Sequence, residues 1–268
     1  KQKLKDRKFS RVVRLEVSNS FDDYLLKSLK ERFKLDNYNI MKLPIDSIID
    51  FTSLKQIYEF EEFSDFFSEY PNPIQSLDME GSSNKNIFEI LSEKDVFLHH
   101  PYNSFDPVIR LLNEAADDPN VLSIKITLYR TAKNSRVIDA LLKAAENGKH
   151  VSVLFEVKAR FDEENNLKNG YQLEKAGCYV IYGIGSLKTH TKLLLIVRRE
   201  GKKVKNYAHM GTGNYNETTS RLYTDLSLMT SDQNYTKDAL EFFNVITGHS
   251  VPEAVSYTHL RAHETQTP

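Results

Sequence analysis

The chain has 268 residues, 40% hydrophobic and 27% charged, with a formal net charge of −1. That is enough apolar material for a sizeable core and two domains, and so even a balance of charge argues against a general nucleic-acid or membrane-surface binder. A single cysteine, Cys178, excludes an internal disulfide and a cysteine-rich metal centre and fits a reducing compartment.

The first residue is Lys rather than Met, so a piece of a longer polypeptide is expected, and the start KQKLKDRKFS lacks the apolar core of a signal peptide. Residues 11 to 17, RVVRLEV, read as a strand. Ser20 then reads as a helix N-cap, with Asp23 three residues on and Tyr24, Leu25, Leu29 and Phe33 at helical spacing. An extended piece from Asn39 to Leu43 leads to Pro44 and a second helical stretch over 46 to 60. Residues 1–75 are therefore read as the end of a small α+β domain. The chain is acidic and aromatic from Glu61 to Glu93, and 76–94 is read as a connector that packs by its aromatic residues.

From Asp95 strand and helix alternate. His99-His100-Pro101-Tyr102 precedes Ser104, read as the cap of a helix from Pro107 to Ala116. Leu122 to Tyr129 is a strand that runs into Arg130. Ser135 is read as the cap of a helix with Ile138, Leu141, Leu142 and Ala145 on one face, closed by Asn147-Gly148, and Val151 to Val157 is the next strand, ending near Arg160. This βαβ unit implies parallel strands, and it places Arg130 and Arg160 at the carboxyl ends of neighbours, where open α/β sheets hold their ligands. A helix over 166 to 176 and a strand from Cys178 to Tyr182 repeat the unit. An apolar strand from Leu193 to Val197, a return through 207–211, a last strand from Tyr223 to Met229 and a helix from Thr236 to Val245 complete the region 95–250. The longest apolar runs are strand-sized, so no membrane span is expected, and 251–268 has no periodicity and reads as an irregular tail foreign to the domain.

The residue types suited to chemistry gather around 181–216. If the chain is extended through Lys192, His190 and Lys192 point to the same side, opposite the Gly211-Thr212-Gly213-Asn214 return. An imidazole beside an ammonium, facing glycines whose backbone N–H groups an anion can approach, suits a phosphate site. The same triplet is also an ordinary surface pattern, and Gly213-Asn214 a common turn dipeptide. Arg130 and Arg160 suit a polyphosphate anion or, taken singly, surface ion pairs; Asp162, Glu163 and Glu164 read as a solvated helix start. One of His99 and His100 reads as packed and the other as exposed, His209 as a half-buried strand residue, and Tyr223 as a core or edge aromatic or a base-stacking ring.

LYR at 128–130, EVKARFDEENN at 156–166, GSLKTHTKLLLIVRRE at 185–200 and YAHMGTGNYNETTSRLYTD at 207–225 together resemble polyphosphate kinase, the long-chain-forming type related to phospholipase D. The resemblance covers 95 to about 246, and it implies an α/β fold, a phospholipase D-like mixed sheet flanked by helices. It also implies that His190 takes the γ-phosphate of ATP as a phosphohistidine and passes it to a polyphosphate end, reversibly with ADP. Lys192, Gly213 and Asn214 match the wider superfamily motif, and Tyr223 matches a tyrosine that contacts ATP. Arg130 and Arg160 match positions associated with Mg²⁺; a guanidinium has no lone pair for a cation, so both are read as gripping phosphate oxygens beside the metal. Val197 stands where the superfamily has an acidic residue, which disfavours diester hydrolysis. The resemblance further implies missing domains, one of them with a second catalytic histidine, and hence poor turnover by these residues alone. It implies a homo-oligomeric full-length enzyme in the cytoplasm or peripheral to the inner face of the membrane. The rivals are a phospholipase D-like phosphodiesterase and a non-catalytic polyanion-binding module.

Overall fold

The computed structural model describes residues 10–44, 51–67, 72–81, 84–132, 134–156, 163–183 and 189–248. It divides into two compact units, with the break after Tyr70.

In the first unit, strand β1 (Leu15–Ser18) pairs in parallel with β2 (Ile40–Leu43), and helix α1 (Asp23–Phe33) connects them. The N-cap of α1 is Asp22 rather than Ser20: the Asp22 carboxylate accepts from Leu25 N at 2.8 Å, while the Ser20 hydroxyl sits against Ser18. The helix expected over 46–60 is described only from Phe51, as 3₁₀ turns at Phe51–Glu59 and Glu61–Phe66. Phe60 between them is extended (φ −84°, ψ 120°), which breaks the i to i−4 ladder that an α-helix needs.

The second unit is built on one seven-stranded mixed sheet. Its strands are β3 (Val96–His100), β4 (Val121–Leu128), β5 (His150–Phe155), β6 (Tyr179–Tyr182), β7 (Lys192–Glu200), β8 (Lys203–Gly211) and β9 (Asp225–Thr230), in the spatial order β3-β9-β8-β7-β4-β5-β6. β4, β5 and β6 pair in parallel, as the repeated βαβ pattern implies. The other contacts are antiparallel, so the two kinds of pairing meet where β4 adjoins β7. Helices α2 (Ile87–Glu93), α3 (Asp106–Asp117), α4 (Arg136–Glu146) and α5 (Glu163–Lys175) share the larger core with one face of this sheet. Helix α6 (Gln233–Ile246) covers β7 and β8 on the other face through Ala239 and Phe243. The two-residue periodicity of β7 is plain in this division: Leu194 and Ile196 enter the larger core, Leu193 and Leu195 the smaller.

One departure from the sequence reading concerns residues 76–94. The stretch expected as a connector supplies Met79, Ile87, Phe88, Ile90 and Leu91 to the larger core. A reciprocal capping box between Asn86 and Glu89 starts α2 there, a signal masked by the acidic composition around it. Strand β3 opens the alternation expected from Asp95, and its outer edge is satisfied by side chains: Ser76 Oγ donates to Phe97 O, and the Asp78 carboxylate accepts from Phe97 N.

The β7–β8 hairpin closes on Gly201, whose φ of 60° supplies the left-handed turn position. At its other end β7 is joined to β4 by a side chain. The backbone pairing stops at Ile126 opposite Leu194, and beyond it Thr127 Oγ1 donates to Thr191 O (2.6 Å) and accepts from Leu193 N (3.0 Å). Replacing Thr127 by Val keeps the shape but strands the buried Leu193 N–H, so a loss of about 1–3 kcal/mol in unfolding free energy is expected from urea titration of the T127V chain.

Candidate active site at the start of strand β7

The carboxyl ends of β4, β5 and β8 and the amino ends of β7 and β9 meet on one rim of the sheet. The chain reaches β7 through Thr189, whose N–H donates at 2.6 Å to Oε2 of Glu156, a buried carboxylate immediately after β5. His190 follows with its side chain exposed, and Lys192 opens the strand almost wholly buried, at 4% exposure. The Lys192 ammonium donates to the carbonyl of His190 at 2.5 Å. Both side chains reach the ring of Tyr129, as their common side predicts. The imidazole meets it edge to face, 5.2 Å between centroids at 82°, and Lys192 Nζ lies 5.4 Å from the ring centre. The Arg130 guanidinium lies 5.8 Å from the same ring centre. Arg130, His190 and Lys192 thus converge, whereas Arg160 lies outside the described residues.

The segment bearing Tyr129 and Arg130 is held by the first turns of α5. Asn166 Nδ2 donates to Tyr129 O (2.7 Å), Asn165 Nδ2 to Thr131 O (3.1 Å), and Asn169 Nδ2 to Thr131 Oγ1 (2.9 Å). These asparagines and Glu156 were not singled out from the sequence. Their signal was a cluster of amide side chains at the start of a helix, with spacings of one and four, following a carboxylate at a strand end.

On the other side of Lys192 stands Gly211, its partner in the β7–β8 register. Gly213 has a specific steric reason to be glycine: a Cβ there would lie 2.5 Å from Oδ2 of Asp225. Thr212 Oγ1 donates to the other carboxylate oxygen at 2.7 Å and accepts from Leu226 N at 3.0 Å, so the loop lies directly over the first residues of β9. The Cβ side of Gly213 is therefore filled by a carboxylate of the chain itself and offers no approach to an anion. Nor is this a tight hairpin, since residues 212–224 intervene between the strands. Asn214 is half-buried, and its Oδ1 has no hydrogen-bond partner among the described residues. Tyr223 is 62% exposed, two residues before Asp225; neither the core nor the edge role applies to it.

The loop is anchored below by His209, 1% exposed rather than half-buried, whose Nδ1 lies 2.7 Å from the hydroxyl of the buried Tyr215. Burial, with His100 nearby, pushes the His209 imidazole down to about 3, so the ring is neutral. His100, the packed member of its pair, is likewise lowered by burial and bonds Asn103 O and Ser227 Oγ. Laterally the loop is tied by Glu217, whose Oε1 accepts from Arg136 N at 2.7 Å. Ser135 occupies the N-cap position of α4, yet its hydroxyl makes no capping bond; the carboxylate from 81 residues away does that work and suits the positive end of the helix.

A family model described as polyphosphate kinase C-terminal domain 1 matches residues 86–252. The chain belongs to the polyphosphate kinase family. It is 45% identical over 252 residues to a polyphosphate kinase of Bacillus cereus, with 93% of this chain and 35% of the relative aligned. Against that of Halalkalibacterium halodurans it is 43% identical over 262 residues, with 97% and 36% aligned. Among solved structures, polyphosphate kinase from Porphyromonas gingivalis superposes with a TM-score of 0.70 at 31% identity, covering 91% of this chain and 36% of that one. The chain therefore spans about a third of the length of the polyphosphate kinases it matches.

Two outcomes follow for the loop. Gly213→Ala must displace Asp225 or the loop, and a destabilisation of about 1–3 kcal/mol is expected in denaturant titration, with weakened protection of the Leu226 amide in hydrogen exchange. Because the folded pKa of His209 lies below its unfolded value of about 6.5, the unfolded chain binds the extra proton. Its contribution is complete above that value and is lost as pH falls toward 3. By pH 4 wild type should have lost roughly 3 kcal/mol more than His209→Gln, read as the difference between their urea unfolding free energies at pH 7 and 4.

Proposed function

We propose that this chain carries the phosphoryl-accepting histidine of a polyphosphate kinase. In this reading His190 takes the γ-phosphate of ATP and passes it to the terminal phosphate of a polyphosphate chain, and the steps reverse with ADP. The observation that carries it is the exposed His190 imidazole standing with the Lys192 ammonium and the Arg130 guanidinium around one aromatic ring. Family membership supports the same substrates.

A ring nitrogen of neutral His190 attacks the γ-phosphorus in line; the N–P bond forms as the bond to the β-phosphate oxygen breaks and ADP leaves. In the second step an oxygen of the polyphosphate end attacks, and the N–P bond breaks. Arg130 and Lys192 spread the negative charge of the equatorial oxygens, the guanidinium as a fork and the ammonium as a point charge. Arg160 is assigned to the same phosphate and Tyr223 to the nucleotide. Asn214, whose buried acceptor oxygen has no donor among the described residues, is assigned to receive an N–H or O–H within the site. Mg²⁺ entering with the phosphates would supply further charge neutralisation; neither arginine has a lone pair to hold it, so Arg130 and Arg160 would act on phosphate oxygens beside it.

The single cysteine, Cys178, is buried, with its thiol pushed up to about 11 by burial; an unreactive thiol fits the cytoplasmic location taken for the working enzyme. No helix among the described residues is long and apolar enough to cross a membrane. Homo-oligomerisation of the full-length enzyme is part of the same proposal.

The test is labelling with γ-³²P-ATP and Mg²⁺. Acid-labile, alkali-stable label mapping to the peptide containing His190 is expected, and none after His190→Ala; acid-stable label elsewhere, or undiminished label in a full-length relative mutated at the aligned histidine, contradicts the assignment. Sustained polyphosphate synthesis by the 268-residue chain alone would contradict the expectation that the remaining two thirds of the relatives' length is needed for turnover.

A further inference from the structure

We propose that Tyr129 is a positioning residue whose aromatic ring sets where the His190 imidazole and the Lys192 ammonium stand relative to a phosphate gripped by Arg130. The inference rests on the phosphoryl-transfer reading above and adds a residue to it. Tyr129 is fixed twice. Its backbone follows the last residue of β4, and its carbonyl accepts the Asn166 amide at 2.7 Å, so the origin of the side chain is rigid. Its half-buried ring then meets the three groups already described, the neighbouring Arg130 and two from the start of β7: His190 edge to face at 5.2 Å, Lys192 at 5.4 Å and Arg130 at 5.8 Å.

The physical reason is the quadrupole of the ring. The negative face attracts cations within about 6 Å, and an edge-to-face partner is held near perpendicular. Two mutually repelling cations are thereby kept together before any phosphate arrives. The ring contributes this hold without carrying a charge of its own, whereas a carboxylate at the same place would carry one. A carboxylate there would form ion pairs with both and compete with the phosphate; an aliphatic side chain would remove the π face that both cations approach.

The probe is inorganic tripolyphosphate, titrated calorimetrically into the 268-residue chain and its variants, with the imidazole proton resonances of His190 followed by NMR. Tyr129→Phe keeps the ring and should bind as wild type does, with His190 shifts preserved. Tyr129→Leu should bind about tenfold more weakly and should lose the ring-current displacement of the His190 resonances. Should the leucine variant fail to fold, Tyr129→Met gives a flexible apolar chain without a π face and the same expectation. Equal affinity and unchanged His190 shifts in the Leu or Met variant overturn the proposal. A Phe variant as weak as Leu overturns it too, since the hydroxyl would then be the active part. Failure of wild type to bind tripolyphosphate removes the phosphate reading of the site itself, and the positioning role with it.

Discussion

The site depends on the burial of β7 on both faces. Leu193, Leu194, Leu195 and Ile196 are all inaccessible to solvent, alternating between two separate cores, with β4 and β8 hydrogen-bonded on either side. A slip of one residue would exchange every side chain between cores of different shape, so the register is strongly specified. Lys192 and His190, at the amino end of that strand, inherit its rigidity. Whatever they do chemically, they do it from positions fixed by hydrophobic packing several residues away.

Around this fixed strand the rim is assembled by polar side chains that reach backbone atoms. Glu156 holds the amide of Thr189, Thr127 extends the β4–β7 ladder by its hydroxyl, Asn166 holds the carbonyl of Tyr129, and Glu217 holds the amide of Arg136. Each bond satisfies a backbone group that would otherwise be left unpaired where regular structure ends, and each ties one loop to another. The loops of the site are therefore cross-braced around an exposed imidazole.

Periodicity and chain order made much of this legible. The parallel β4–β5–β6 run, the β7–β8 return and the common side of His190 and Lys192 all follow from spacing two or spacing three to four, which are local properties. What could not be read depends on partners far along the chain. Ser135 has the right residue type and position for a cap, but the capping carboxylate comes from Glu217. Gly213 looks like a residue reserved for a ligand, but Asp225 fills the space. His209 looks like any strand histidine until Tyr215 is found beneath it. Where an acidic stretch suggested a connector, the four apolar residues of α2 proved sufficient to join the core once Asn86 and Glu89 had started the helix.

The antiparallel course of β7 and β8 also gives the unit a built-in ruler. Lys192 and Glu200 are the two ends of one unbroken strand, so the Gly201 turn lies roughly 27 Å from the rim that bears His190. That far rim is exposed and basic, at Lys202 and Lys203, and is separated from the imidazole by the whole thickness of the core. A fluorophore, affinity handle or inserted peptide placed at the turn would report from a known distance while leaving the reactive rim untouched.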